Sequence, residues 1–414
     1  MRPRVSLGHA GRIAAMKVDV AELRALLRGV IDPELGSDIV DLGMVRSIDA
    51  ADDGAVTVTI ALTTAGCPLR AQIQRDIRTR LGSATGVTSV RLEWSEMTAD
   101  ERSGAMAKAR FNVSQRDEDT AVGPTTKVIL VASGKGGVGK SSVTVNLATA
   151  MAARGLKVGV LDADVWGFSV PRMLGVSGRL AGHERDGRKV MVPHRKPVGP
   201  GELRVISMGF LVEDEAQALM WRGLMLNRGV QHFLQDVEWG DDLDYLLVDM
   251  PPGTGDVQMG VAKLIPRAEV LVVTTPALAA QKVAERAVSM SRKSYLRVAG
   301  VIENMSAFTC EHGHSYALFG TGGGAALAEA SGAPLLAQIP LEPDSVQGGD
   351  TGSPAALGSG ASADAFRALA EVVVTEAVPP VAMAGCTARM LDAAVAALDA
   401  LDADEAETPV DIPT

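Results

Sequence analysis

The apolar run KVILVAS (residues 127–133) leads straight into Gly134-Lys135-Gly136-Gly137-Val138-Gly139-Lys140-Ser141, and no other stretch restricts the fold so tightly. It fits G-x-x-x-x-G-K-[ST] set between a strand and a helix, a pattern that cradles phosphate. Glycines let consecutive backbone N–H groups curl round phosphate oxygens without Cβ clashes. A helix beginning at Gly139 adds the positive end of its dipole. Lys140 would reach the β and γ phosphates of ATP, Ser141 would place its hydroxyl on Mg2+, and Ser142 follows in the same turn.

The same glycines also satisfy G-x-G-x-x-G, with Asp162 standing 23 residues beyond Gly139 at the end of the next strand. A dinucleotide site would have that layout. The Lys140-Ser141 pair decides the matter, because it serves a triphosphate with Mg2+ and has no use in a dinucleotide site. Asp249, closing the strand DYLLVD, supplies the second acidic element, meeting Mg2+ through water. Asp162 and Asp164 in KVGVLDAD are expected at the same sheet edge near the γ-phosphate, one orienting the attacking water and the other contacting Mg2+ through water. Either could instead cap the following turn. Lys135 reads as a solvated charge or as an ammonium reaching across to a second copy's nucleotide, a charge delivered in trans. PPGTGD, right after Asp249, has the rigid and permissive backbone that a γ-phosphate sensor needs.

A chain of 414 residues exceeds one ordinary domain. Residues 17–99 read as a small α+β unit, with the alternating strand VTVTIAL and a helix from about Pro68 striped by Leu69, Ile73, Ile77 and Leu81. Residues 100–126 are polar and without period, a linker. From 127 to 375, short buried-type strands alternate with helical stretches, the pattern of a doubly wound, mostly parallel sheet. Residues 376–414 hold a further helix and an acidic tail. The fold class is α/β. The net charge of −10 and only 4 Trp, 3 Tyr and 7 Phe argue against nucleic acid. No apolar run reaches the roughly 20 residues of a membrane helix. The start, MRPRVSLGHAGRIAAM, lacks the apolar core of a signal peptide, and Met16 offers a second start. Cysteines at 67, 310 and 386 are too few for a disulfide framework and suit a reducing cytoplasm.

GKGGVGKSS, LDADVWGFS, WRGLM, LDYLLVDMPPGTGD and VIENMS together resemble the Mrp/ApbC family of P-loop iron–sulfur cluster carrier ATPases, in the wider group with MinD, ParA and nitrogenase iron protein. The front unit, with VIDPELGSDIVDLGMV and TTAGCP, resembles the small PaaD/SufT-type domain. The resemblance implies that Lys135 is a signature lysine and that Asn304 contacts the adenine base. It implies a homodimer that carries an iron–sulfur cluster to apoprotein clients alongside assembly proteins, timed by ATP binding and hydrolysis. Met250, Phe168 and Leu224 depart from the family's usual residues at packing positions.

The larger departure is in the thiols. The family carries C-x-x-C after ENMS, whereas this chain has Cys310-Glu311-His312-Gly313-His314. Histidine can replace cysteine on a [2Fe–2S] iron, so Cys310 with His312 or His314 stands beside the reading of an ordinary loop. Cys67, expected at a strand-to-helix turn, is an activated thiol or cluster ligand by resemblance, or else a small buried residue. Two further functions compete with the carrier: a nucleotide-gated adaptor without a cluster, and a MinD- or ParA-like positioning ATPase. The acids around the last helix oppose membrane attachment, and the net charge opposes DNA.

Overall fold

The computed structural model describes residues 18–32, 35, 37–63, 70–98, 100–102, 104–105, 108, 120–164, 167–185, 187–211, 223–253, 259–261, 264–310, 312 and 314–380. The helix and acidic tail expected near the end of the chain lie outside them, as do Cys67, Gly313 and Cys386.

In the front unit, α1 (Val20–Leu27) begins at Asp19, whose side chain accepts from the Ala21 N–H. A small ladder pairs β1 (Ile31–Asp32) with β2 (Ser37–Asp38), and β3 (Val45–Ala50) runs antiparallel to β4 (Ala55–Leu62). Then α2 (Arg70–Gly82) crosses over to β5 (Ser89–Glu96), parallel to β4. The stripe on α2 is as the spacing predicts: Ile73, Ile77 and Leu81 are fully buried, each contributing about 1.5–3 kcal/mol over exposure. The helix begins at Arg70, and Pro68 and Leu69 lie outside the described residues. The stretch after β5 is not wholly unstructured, because Asp100–Arg102 is helical and Ala105 joins the front core. A small apolar residue near a core edge gains more from burial than from remaining in water.

The second unit is built on β6 (Lys127–Ser133), whose alternate residues enter two different cores. Val128, Leu130 and Ala132 pack with Phe233 and Leu234 of α5, while Ile129 and Val131 pack with Leu147 and Met151 of α3 and Phe366 of α9. A strand buried on both faces must read as a continuous apolar run, and that is how KVILVAS reads. The helices are α3 (Lys140–Ala153), α4 (Val170–Leu174), α5 (Gly223–Gln235), α6 (Leu278–Lys293), α7 (Gly323–Ser331), α8 (Pro343–Thr351) and α9 (Ala361–Val372). The strands after β6 are β7 (Lys157–Asp162), the hairpin β8 (Ala181–Arg185) and β9 (Arg188–Val192), β10 (His194–Val198), β11 (Gly201–Ser207), β12 (Tyr245–Asp249), β13 (Glu269–Thr274), β14 (Arg297–Thr309), β15 (Ser315–Tyr316) and β16 (Leu335–Leu341).

Among the described residues the main sheet has nine strands in the order β10-β11-β7-β12-β6-β13-β14-β15, with β16 also on β14. Every pairing from β11 to β14 is parallel, as is β14 with β16; β10 and β15 pair antiparallel. The second unit extends past residue 375, since the Tyr245 hydroxyl donates to the Val378 carbonyl at 2.7 Å. No helix among the described residues is long and apolar enough to cross a membrane.

The two units meet at the amino-terminal ends of the parallel strands. Arg80, near the end of α2, donates to the Arg267 carbonyl at 2.9 Å and pairs with Glu269, the first residue of β13, at 3.4 Å. Arg297, the first residue of β14, pairs with the other oxygen of the same carboxylate. A Cβ at residue 29 would collide with the Arg80 guanidinium, so Gly29 leaves the path open.

Candidate functional site

Parallel strands deliver their last residues to one edge of a sheet, and ligands bind there in open α/β folds. The phosphate loop lies on this edge. Gly139 has φ +80°, a conformation that favours glycine, and its carbonyl accepts the Val143 N–H at 2.9 Å to open α3. Asp249 closes β12 two strands from β13, and its register partner on β7 is Asp162. Both carboxylates are fully buried.

Three groups converge on Asp249. Lys140 Nζ stands 2.6 Å from Oδ1, the Ser141 hydroxyl 2.5 Å from Oδ2, and the Thr144 hydroxyl 2.9 Å from Oδ1. Sequence reasoning placed the first two and missed Thr144. The available signal was its spacing: four residues after Lys140, one turn further along the same face of α3.

Asp162 is tied to backbone and side-chain groups around it. It accepts from the Ser207 hydroxyl at 3.1 Å and from the backbone N–H groups of Asp164 and Val170 at 3.2 and 3.3 Å. It braces the turn after β7, the capping alternative. The strand ends at Asp162, and Asp164 lies just beyond it. Asp164 itself is 9% exposed. Ser207, whose register partner is Asp162, carried no local signal at all. Burial, reinforced by the Asp249 charge, pushes Asp162 up to about 8 despite Lys140 nearby.

Two buried carboxylates therefore face one buried ammonium, with hydroxyls beside them. That surplus of carboxyl oxygen over cation fits a hard divalent cation such as Mg2+. Ser141 and Asp249 are the residues that would hold it.

Lys135 is exposed on the loop. Asn304 is buried, and its side-chain N–H donates to the Val138 carbonyl at 2.9 Å. On the same edge, β14 ends just before Cys310, which is partly exposed and whose N–H donates to the His314 carbonyl at 3.0 Å. Tyr316, Leu318 and Phe319 stand exposed close by. Among the described residues no group of three or more His, Cys, Asp or Glu side chains is arranged to hold a metal. The last three residues of PPGTGD lie outside the described residues. The Gly253 N–H donates to the Ser133 carbonyl at 3.1 Å, tying the segment's start to the loop.

Comparison with known proteins places both units. Residues 124–374 match the family described as NUBPL iron-transfer P-loop NTPase, and residues 20–92 match iron–sulfur cluster assembly protein. The iron–sulfur cluster carrier protein of Mycobacterium bovis is 47% identical over 350 residues, covering 83% of this chain and 89% of that one. The protein of the same description in Deinococcus radiodurans is 42% identical over 356 residues, with 85% and 94% covered. Among solved structures, a nucleotide-binding protein of Archaeoglobus fulgidus in complex with ADP is 33% identical, covers 59% of this chain and 91% of its own, and has a TM-score of 0.48.

Proposed function

The chain belongs to the family of iron-transfer P-loop NTPases, with an iron–sulfur cluster assembly domain fused ahead of the NTPase, and from that premise we propose that it is an ATP-dependent carrier of iron–sulfur clusters in the cytoplasm. The cluster is its cargo, handed to apoprotein clients. The observation that carries the nucleotide half is the convergence of Lys140, Ser141 and Thr144 on Asp249 beneath the phosphate loop.

A triphosphate offers Lys140 more negative charge than one carboxylate does, so the ammonium turns from Asp249 to the β and γ phosphates on binding. Ser141 and, through water, Asp249 would hold Mg2+, which would supply positive charge beside the phosphate oxygens. The loop N–H groups and the α3 dipole orient the γ-phosphate, and Asp164 is the carboxylate we assign to orienting the attacking water. Lys135, exposed on the loop, supplies the remaining charge to a partner copy in a homodimer. Cys310, reached by β14 from beside the loop, is the cargo thiol, and a second copy doubles it. Cys67 remains a second thiol proposed for cargo.

Anaerobic loading with iron and sulfide, followed by transfer to an apoprotein with and without ATP, tests the reading. We expect cluster binding that Cys310→Ser abolishes, and transfer that depends on ATP. ATP hydrolysis by a wild-type protein that takes up no cluster would sink the carrier role. The adaptor reading draws on Gly313 standing where a second cysteine would complete C-x-x-C. It predicts client capture unchanged in the Cys67→Ser and Cys310→Ser proteins.

A further inference from the structure

The resemblance assigns Asn304 to the base, yet its amide points at the loop. It is 6% exposed, and Nδ2 lies 2.9 Å from the Val138 carbonyl. The peptide between Val138 and Gly139 is trans, since no described peptide bond is cis. In a trans peptide the C=O and N–H point in opposite directions. Holding the Val138 oxygen toward β14 therefore turns the Gly139 N–H the other way, into the loop's concavity, where phosphate oxygens are received.

The holder is itself fixed. Glu303, the residue before it, is 1% exposed and accepts from the Gly324 N–H and the Gln338 side chain, both at 2.6 Å. The residue after it, Met305, has φ +57°, a left-handed conformation uncommon outside glycine. The register of β14 on β16 shifts at this point, between Asn304 and Phe308. The strand thus bends at the place where it presents the amide, and such strain persists only where surrounding contacts over-determine it. The fit is close: a Cβ on Gly139 would collide with the Asn304 amide nitrogen, and would meet Met305 Cε at 3.5 Å.

We propose that Asn304 is a positioning residue for the phosphate loop, fixing the Val138–Gly139 peptide so that Gly139 N–H faces the bound phosphates. The proposal rests on the nucleotide-binding reading above and adds a role to it. Binding of Mg-ATP, Mg-GTP and inorganic tripolyphosphate, each in the full chain, separates the two. Asn304→Leu keeps the side chain's shape without donor or charge, and Asn304→Ala removes it. Both variants should bind all three ligands about tenfold more weakly, the effect of one lost hydrogen bond, with the ATP-to-GTP preference unchanged. A residue that reads only the base would instead lower that preference and leave tripolyphosphate binding untouched, and this result overturns the positioning role. Wild-type protein that binds no Mg-ATP overturns the nucleotide reading itself. Should Asn304→Ala fail to fold, Asn304→Leu with the same three ligands separates the two roles on its own.

Discussion

The two edges of the central sheet carry buried ion clusters of opposite balance. At the carboxyl edge Asp249 and Asp162 share one ammonium, Lys140. At the amino edge Glu269 is shared by two guanidinium groups, Arg80 and Arg297. One cluster has acid to spare and the other base. The difference lies in what completes each. The amino edge is closed by another part of the same chain, α2 of the front unit, which brings Arg80 to Glu269. The carboxyl edge opens on the phosphate loop, and its spare carboxyl oxygens suit an incoming cation. Burial costs both clusters, but only at the amino edge is the carboxylate outnumbered by cations. There burial would raise Glu269, and the Arg297 and Arg80 charges, with Lys127 behind them, outweigh it and hold the carboxyl below its usual range.

Removing the buried cation beside Asp249 should have the largest effect. Lys140→Ala is expected to lower ATP hydrolysis by at least about 100-fold, the scale of losing one preorganised charge at a reacting phosphate, as measured by phosphate release under saturating nucleotide. Lys135→Ala should leave nucleotide binding in place and still reduce hydrolysis strongly. Equal turnover in that variant and the wild type would remove the charge delivered in trans.

At the other edge, Glu269→Ala leaves two buried guanidinium groups facing each other. We expect a loss of about 3–5 kcal/mol in urea unfolding, the usual cost of orphaning a buried charge. A loss no larger than that of an exposed acid would mean the docking of the front unit does not depend on the triad.

The two carboxylates should also respond to pH in opposite senses. The folded pKa of Glu269 is depressed, so its contribution is present above the unfolded value of 4.5 and fades as pH falls below it. Asp162 is raised from 3.8 to about 8, so without metal or nucleotide the folded state loses stability as pH climbs through that window. Urea melts in chelator should therefore show Asp162→Asn gaining on the wild type from pH 5 to about 9, whereas the deficit of Glu269→Gln shrinks as the solution is acidified. Parallel pH profiles for the two pairs would break the contrast. The smallest effect belongs to Thr144→Val, which removes one of three hydrogen bonds to Asp249 and should cost about 1 kcal/mol with little change in turnover.

Much of the nucleotide site was legible in the sequence because its parts are neighbours in the chain. Gly134 to Ser142 declare the loop through glycine spacing and one Lys-Ser pair, and the apolar run before them declares a strand buried on both faces. The stripe Ile73, Ile77, Leu81 declared α2 equally well, since a helix writes its buried face at fixed spacing. Two kinds of role were open to Asp162, and beside its bonds to the turn after β7 it has one to Ser207, a long-range contact that no local pattern announces. Asn304 was expected at the adenine base through the resemblance alone, and nothing near it in the sequence announces its bond to the Val138 carbonyl.

What the sequence determined alone is the local chemistry: a phosphate loop, a strand ending in Asp249, and a thiol at 310 with glycine at 313. Backbone conformation and side-chain type settle these within a few residues. The tertiary structure decided which distant groups meet. Arg80 finds Glu269 across 189 positions, Lys140 finds Asp249 across 109, and Asn304 reaches back to Val138 across 166. Parallel strands bring such residues to a common edge whatever their separation in the chain, and a buried charge then selects its partners by proximity rather than by sequence order.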